Sequence, residues 1–215
     1  MCGLGGYSLS TKEIFLENIL SNVIKQIIHR GPDHQGLYEN KNFKIGLAHT
    51  RLSIQDISSN GHQPMISEDK KVALVYNGEI YNFENLRLDL KKKGKKFKSN
   101  SDTEVLLNLY LTEGQNMLSK LDGIFAFAIW DQRDKSLFLA RDHFGVKPLY
   151  YTTEKENFYF ASEIKGLFPF LKKNITLNYD ALNRYLTYLW CPGKETSLKS
   201  VYKLLPGEAL IVSEG

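Results

Sequence analysis

Apolar and polar positions along this chain fall into two periods, one near 3.6 residues and one of two. Ile14, Phe15, Ile19, Leu20, Val23, Ile24, Ile27 and Ile28 recur at helical intervals after Ser10-Thr11-Lys12-Glu13, which has capping-box spacing, and Gly31-Pro32 stops the run. Over residues 43–54 the period shortens to two, through Ile45, Leu47, His49, Arg51 and Ser53, and predicts a strand. Val72 to Tyr76 reads as a short apolar strand running into Asn77-Gly78-Glu79, where Asn-Gly signals a turn. Helices are predicted over 83–93, ending at Gly94, and from Ser101-Asp102-Thr103-Glu104 onward, with Val105, Leu106, Leu109 and Tyr110 on one face. The unbroken run Ile124-Phe125-Ala126-Phe127-Ala128-Ile129-Trp130 suits a strand buried on both faces. Leu137 to Ala140 and Leu149 to Tyr151 read as paired strands around Arg141-Asp142-His143-Phe144-Gly145. A strand over 158–161, helices over 162–168 and 179–189, and a last strand over 209–212 after Leu205-Pro206-Gly207 complete the pattern. Strand groups alternating with helix pairs predict a layered α+β domain, two packed sheets between helices.

Composition narrows the function classes. The chain has 215 residues, enough for one large domain or two small ones with a full core, and 24% of them are charged, as in ordinary globular proteins. No apolar run reaches the roughly 20 residues that span a bilayer, and Lys12, Glu13 and Glu17 interrupt what would be a signal peptide, so no membrane partner is expected. Two cysteines, Cys2 and Cys191, do not make a disulfide framework, and a reducing cytoplasm is the expected setting. The lysines from Lys91 to Lys98 follow a predicted helix and, apart from Phe97, no aromatic residue interleaves them; they read as a solvated helix end, not a nucleic-acid site. His29 and His34 lack a matching cysteine or carboxylate cluster, so no metal site is expected.

The start, Met1-Cys2-Gly3-Leu4-Gly5-Gly6, offers chemistry of its own. A small second residue lets an aminopeptidase remove Met1, which leaves a thiol and a free α-amine on Cys2. With ordinary pKa values of about 8.5 and 8, the amine can take the thiol's proton near neutral pH. By itself this is weak, since any residue can stand second in a chain. The Asn77-Gly78 step is similarly open: a hairpin corner, or an amide side chain and a backbone N–H presented together as an oxyanion hole requires. Asp102 reads equally as a helix-capping carboxylate.

Taken together, Cys2-Gly3, His29-Arg30-Gly31-Pro32-Asp33, Arg51-Leu52-Ser53-Ile54, Tyr76-Asn77-Gly78-Glu79-Ile80-Tyr81-Asn82, Ser101-Asp102-Thr103-Glu104, Arg141-Asp142-His143-Phe144-Gly145 and Ala161-Ser162-Glu163 resemble the class II glutamine amidotransferases, most closely the glutaminase domain of glutamine-hydrolysing asparagine synthetases. The motifs stand in order from residue 2 to about 168. The resemblance implies the N-terminal nucleophile hydrolase fold, a four-layer αββα sandwich, over residues 1–215. It implies Cys2, Asn77 and Gly78 as catalytic residues, and Arg51, Leu52, Ile54, Asn77, Gly78, Glu79 and Asp102 as the glutamine-binding set. Arg51 would take the α-carboxylate, Asp102 the α-ammonium, and Glu79 would frame the substrate. Arg30, Asp33, Arg141 and Asp142 are expected to form structural ion pairs or a domain-interface network, while His49 and Gln55 fall where the family varies. No cofactor is implied for this domain; ATP and Mg²⁺ belong to a synthetase domain, expected in cis beyond residue 215, with a Ser-Gly-Gly-x-Asp loop that this sequence lacks. The chain is then a fragment or a freestanding subunit, with a homodimer left open. The acceptor of the ammonia is aspartate or another acid such as a sugar acid, and a silent glutamine-sensing module is the rival reading.

Overall fold

The computed structural model describes residues 1–10, 18–171 and 175–213. Strands β1 (Gly3–Ser8), β2 (His34–Asn40), β3 (Ile45–Arg51), β8 (Tyr150–Glu154), β9 (Asn157–Ala161) and β10 (Val201–Lys203) form one antiparallel sheet in the order β10-β8-β9-β1-β3-β2. Strands β4 (Met65–Ile66), β5 (Val72–Ile80), β6 (Gly123–Asp131), β7 (Ser136–Arg141) and β11 (Ala209–Ser213) form the second, in the order β11-β7-β6-β5-β4.

Alternation along the strands divides the core into three apolar layers. Leu4, Ile45, Leu47 and Phe160 of the first sheet meet Ala73, Val75, Ala128 and Leu139 of the second. On the outer face of the first sheet, Tyr7, Ala48 and Tyr159 pack under α1 (Ile19–Ile27) and α4 (Ile164–Leu167). On the outer face of the second, Leu74, Tyr76, Phe127 and Phe138 pack under α2 (Phe83–Lys92) and α3 (Asp102–Glu113). The result is helix, sheet, sheet, helix: the αββα sandwich that the resemblance implied. A fifth helix, α5 (Tyr179–Tyr188), follows the first sheet's α4. Strand β6 is buried from Phe125 to Asp131, as its unbroken apolar run predicts.

Three expectations are corrected. Asn77-Gly78 is no turn: nine residues of β5 pair in register with β6, Asn77 opposite Ala126 and Gly78 opposite Phe125, and this pairing overrides the local turn preference. Gly78 is needed for proximity instead, since a Cβ there would lie 2.3 Å from the Ile124 carbonyl oxygen. Strands β7 and β8 do not pair with each other; β7 lies between β6 and β11, and β8 between β9 and β10, in opposite sheets. Strand β3 ends at Arg51 and not at Ile54, because residues 52–58 fold back around the Arg51 side chain. The expected capping box needs Thr11 to Glu13, and these, with Ile14 and Phe15, lie outside the described residues. Among the described residues no helix is long and apolar enough to cross a membrane.

Candidate active site

Side-chain alternation decides what can meet in the gap between the sheets. On β1, Leu4 faces that gap, so Cys2, two residues earlier, is on the same side at the strand's open end. On β5, Ala73 and Val75 face it, so Asn77 and Glu79 follow, while Tyr76 points to the helices. On β3, Ile45 and Leu47 face it, which places His49 and Arg51 there too. Cys2, Arg51, Leu52, Ile54, Asn77, Gly78, Glu79 and Asp102 accordingly line one cavity of about 120 Å³. All eight residues of the expected site are thus brought together. Met1, Gln55, Gln63, Tyr76, Thr103 and Lys147 complete much of the wall.

Each member has a specific anchor. The Cys2 Sγ accepts a hydrogen bond from the Leu52 N–H at 3.4 Å, and its carbonyl accepts one from Arg30 Nε at 2.9 Å. Burial raises the thiol pKa, opposed by the Leu52 hydrogen bond and by nearby positive charge, so the thiol requires a base. Arg30 also pairs with Glu163 at 2.9 Å; the expected structural ion pair is present, and the same side chain holds the Cys2 backbone.

Strand β4 covers only Ala73 and Leu74 of β5, leaving the rest of that edge without a strand partner. The Tyr76 N–H donates to Gln63 Oε1 at 2.6 Å and the Ile80 N–H to Asp102 Oδ2 at 3.1 Å. Antiparallel alternation places the Gly78 N–H between them on the same edge. The Asn77 side chain is buried beside it, and its Nδ2 has no hydrogen-bond partner. A buried donor without an acceptor is costly, by about 1–3 kcal/mol, unless something else accepts from it. Asn77 Nδ2 and Gly78 N–H are therefore two donors presented toward one cavity.

Two charges lack counter-ions. Arg51 is 4% exposed, and its guanidinium donates to the carbonyls of Ser58 (3.0 Å), Gln55 (3.1 Å) and Asp56. These acceptors are neutral, and among the described residues no carboxylate is within ion-pair distance of it. Asp102, the first residue of α3, is 5% exposed and likewise has no basic partner among the described residues. Ser101 caps the helix by accepting from the Glu104 N–H, and Glu104 reaches back to the N–H groups of Lys98 and Ser99, which pins the first turn and Asp102 with it. Tyr76 Oη donates to Asp102 Oδ2 at 2.6 Å. Burial nonetheless raises the Asp102 pKa from its ordinary value. A cation and an anion, both buried and both unpaired, suit a small zwitterion.

The anchors were not visible in the sequence reading. Tyr76 and Gln63 act across elements distant in the chain; alternation along β5 would have put Tyr76 on the helix side, but not against Asp102. His29 pairs with Glu163 at 2.8 Å and His34 stacks on His62, and no group of three or more candidate metal ligands occurs among the described residues. Asp33 accepts from the Ser53 N–H, Arg141 donates to the carbonyls of Lys147 and Leu204, and Asp142 accepts from four backbone N–H groups. These three bond to backbone groups, and among the described residues they form none of the expected ion pairs.

The αββα sandwich thus carries a cysteine at the head of one of its inner strands, and comparison with known proteins gives its family. The chain belongs to the glutamine amidotransferase domain family, whose model matches residues 1–215. It is similar to the glutamine-hydrolysing asparagine synthetase 1 of Bacillus subtilis (strain 168), 41% identical over 196 residues, which cover 91% of this chain and 30% of that protein. It is also similar to a putative asparagine synthetase of Methanocaldococcus jannaschii, 38% identical over 230 residues, covering 98% and 44%. The chain thus spans less than half the length of these two relatives. Among solved structures, the glutamine phosphoribosylpyrophosphate amidotransferase of B. subtilis superposes with a TM-score of 0.64 at 24% identity, covering 77% of this chain and 43% of that one. At that identity the likeness shows the fold.

Proposed function

We propose that this chain is the glutaminase part of a glutamine-dependent amidotransferase of the asparagine-synthetase kind, with Cys2 as the nucleophile once Met1 is removed. The observation that carries this reading is one cavity holding a thiol, an unpartnered amide donor, an unpaired guanidinium and an unpaired carboxylate. Free glutamine complements all four: a carbonyl to attack, an oxygen to stabilise, a carboxylate and an ammonium.

The chemistry follows from those groups. The Cys2 α-amine, freed by loss of Met1, takes the thiol proton as Sγ attacks the side-chain carbonyl. Negative charge then develops on the carbonyl oxygen, held by Asn77 Nδ2 and the Gly78 N–H. The same α-ammonium gives its proton to the departing nitrogen, and ammonia leaves with a γ-glutamyl thioester behind it. Water adds to the thioester, glutamate departs and the thiol is regenerated. Arg51 and Asp102 restrict this to an amino acid by holding its two α-substituents, and Leu52, Ile54 and Glu79 wall the cavity.

In the whole protein the ammonia passes to a second domain that spends ATP with Mg²⁺ to activate the acceptor acid, aspartate in the asparagine-synthetase reading. A reducing cytoplasm is the setting that suits the free thiol. The test is glutamate release from free glutamine without ATP, on protein whose intact mass shows loss of Met1, beside Cys2→Ala. Turnover that is absent in the variant supports the reading. Turnover that needs Mg²⁺-ATP, or that survives the substitution, refutes it.

A further inference from the structure

Gln55 belongs to the cavity but to none of the roles assigned so far. Its carbonyl accepts from Arg51 Nη2 at 3.1 Å, and its side-chain Nε2 donates to Glu79 Oε1 at 3.2 Å. A carboxylate can only accept, so the amide must turn its NH₂ toward Glu79. That leaves Oε1, which is buried and has no hydrogen-bond partner. Two residues that line the cavity therefore each carry a buried, unpartnered amide atom, and the two are of opposite kind, the Asn77 donor and the Gln55 acceptor.

Their separation sorts their tasks. Asn77 and Glu79 are two residues apart on one face of β5, so a group beside Glu79 is about 7 Å along the strand from the oxyanion donors. In glutamine, three carbon–carbon bonds of about 1.5 Å separate the reacting carbon from the α-carbon, roughly 4 Å in all, with the nitrogen one bond further. An acceptor beside Glu79 is thus matched to the α-carbon end. Gln55 also bridges the cation and the anion: backbone against Arg51, side chain against Glu79. The α-carbon is the atom that carries both a carboxylate and an ammonium.

We propose that Gln55 is a specificity-determining residue, its Oε1 accepting a hydrogen bond from the substrate's α-ammonium beside Asp102. The proposal rests on the glutamine reading and adds a contact to it. It explains why an amide oxygen is left without a partner: a third carboxylate beside Glu79 and Asp102 would raise like-charge repulsion, whereas a neutral oxygen accepts without it.

The test is a pair of titrations on Met1-free Cys2→Ala protein, with L-glutamine and with its analogue lacking the α-amino group, 4-carbamoylbutanoate. They are repeated with Gln55→Met, with Glu79→Gln and with both changes together. Methionine keeps the length and removes the polar atoms, and thermal melts confirm the fold. The protein should prefer glutamine, and Gln55→Met should lower that preference about tenfold, as one hydrogen bond to a charged group does. The loss should persist in the Glu79→Gln background. An unchanged ratio overturns the proposal, and so does a loss that vanishes with Glu79→Gln, because Gln55 would then act only by holding Glu79. Failure to bind glutamine at all would instead remove the functional reading itself, and this proposal with it.

Discussion

Tyr76→Phe removes one oxygen atom, and its effect should appear in the pH dependence of substrate binding. Tyr76 Oη is 2.6 Å from Asp102 Oδ2 in a buried setting, where the carboxylate otherwise accepts from the N–H groups of Ile80 and Thr103 and has no cationic partner among the described residues. A hydrogen bond to a charged group contributes about 1.5–3 kcal/mol, and it favours the ionised form. At 1.36 kcal/mol per pH unit, losing it moves the Asp102 titration upward by about one unit or more. The sign follows from what the site needs. If ionised Asp102 holds the ammonium, as proposed, activity falls as pH drops through its pKa, and raising that pKa moves the acid limb of kcat/KM toward neutrality. Folding responds to pH in the opposite sense. Burial already raises this carboxyl in the folded state, so stability is lost as pH rises past it, and Tyr76→Phe should deepen that loss at neutral pH. The assay is glutamate release from pH 5 to 8 at sub-saturating glutamine, with melts alongside. A higher KM at pH 6 that shrinks toward pH 8, with kcat little changed, is expected. A Tyr76→Phe profile that superimposes on the parent would refute the assignment of Asp102 as the ammonium partner.

Asn77→Ala should lower kcat by on the order of 10²–10³ with KM little changed, read by steady-state glutamate release; the reverse split would make Asn77 a ground-state contact. His49 is wholly buried, its Nε2 donates to the Tyr76 carbonyl at 3.0 Å, its Nδ1 has no partner, and burial pushes its pKa down to about 3. The unfolded chain takes up a proton below about 6.5 that the folded chain refuses, so stability falls as pH drops from there toward 3, by about 3 kcal/mol at pH 4 from this residue alone. His49→Gln, which keeps a donor but cannot charge, should flatten the decline in Tm between pH 7 and 4.

Much of the fold could be read from periodicity, and the exceptions have physical causes. Strands β3, β5 and β6 announce themselves because apolar residues fill both faces or alternate cleanly. Strand β1 does not, because Gly3, Gly5 and Gly6 give no side-chain pattern; a Cβ on Gly6 would lie 2.2 Å from the Gly46 carbonyl oxygen, so the glycines mark close strand contact. Strand β2 is an edge strand with alternately exposed, largely polar residues, and so gives no apolar pattern to read. Proximity in the chain favours a hairpin of β7 and β8, whereas the Arg141 to Lys147 turn, in which Asp142 accepts from four backbone N–H groups, crosses from one sheet to the other. At the site, the motif residues were recognisable as motifs. Their supports, Tyr76 under Asp102, Gln63 on the Tyr76 N–H and Arg30 on the Cys2 carbonyl, depend on tertiary packing that no local pattern encodes.

The central claim is that Cys2 acts as a chain-terminal nucleophile. Its most direct measurement is intact mass after rapid acid quench of glutamine turnover, on two preparations that differ only in Met1. The processed chain should carry a γ-glutamyl adduct that maps to Cys2 and decays to free glutamate, while the chain retaining Met1, whose Cys2 nitrogen is an amide, should form none. Equal turnover by both, or an adduct on any other residue, would contradict the account.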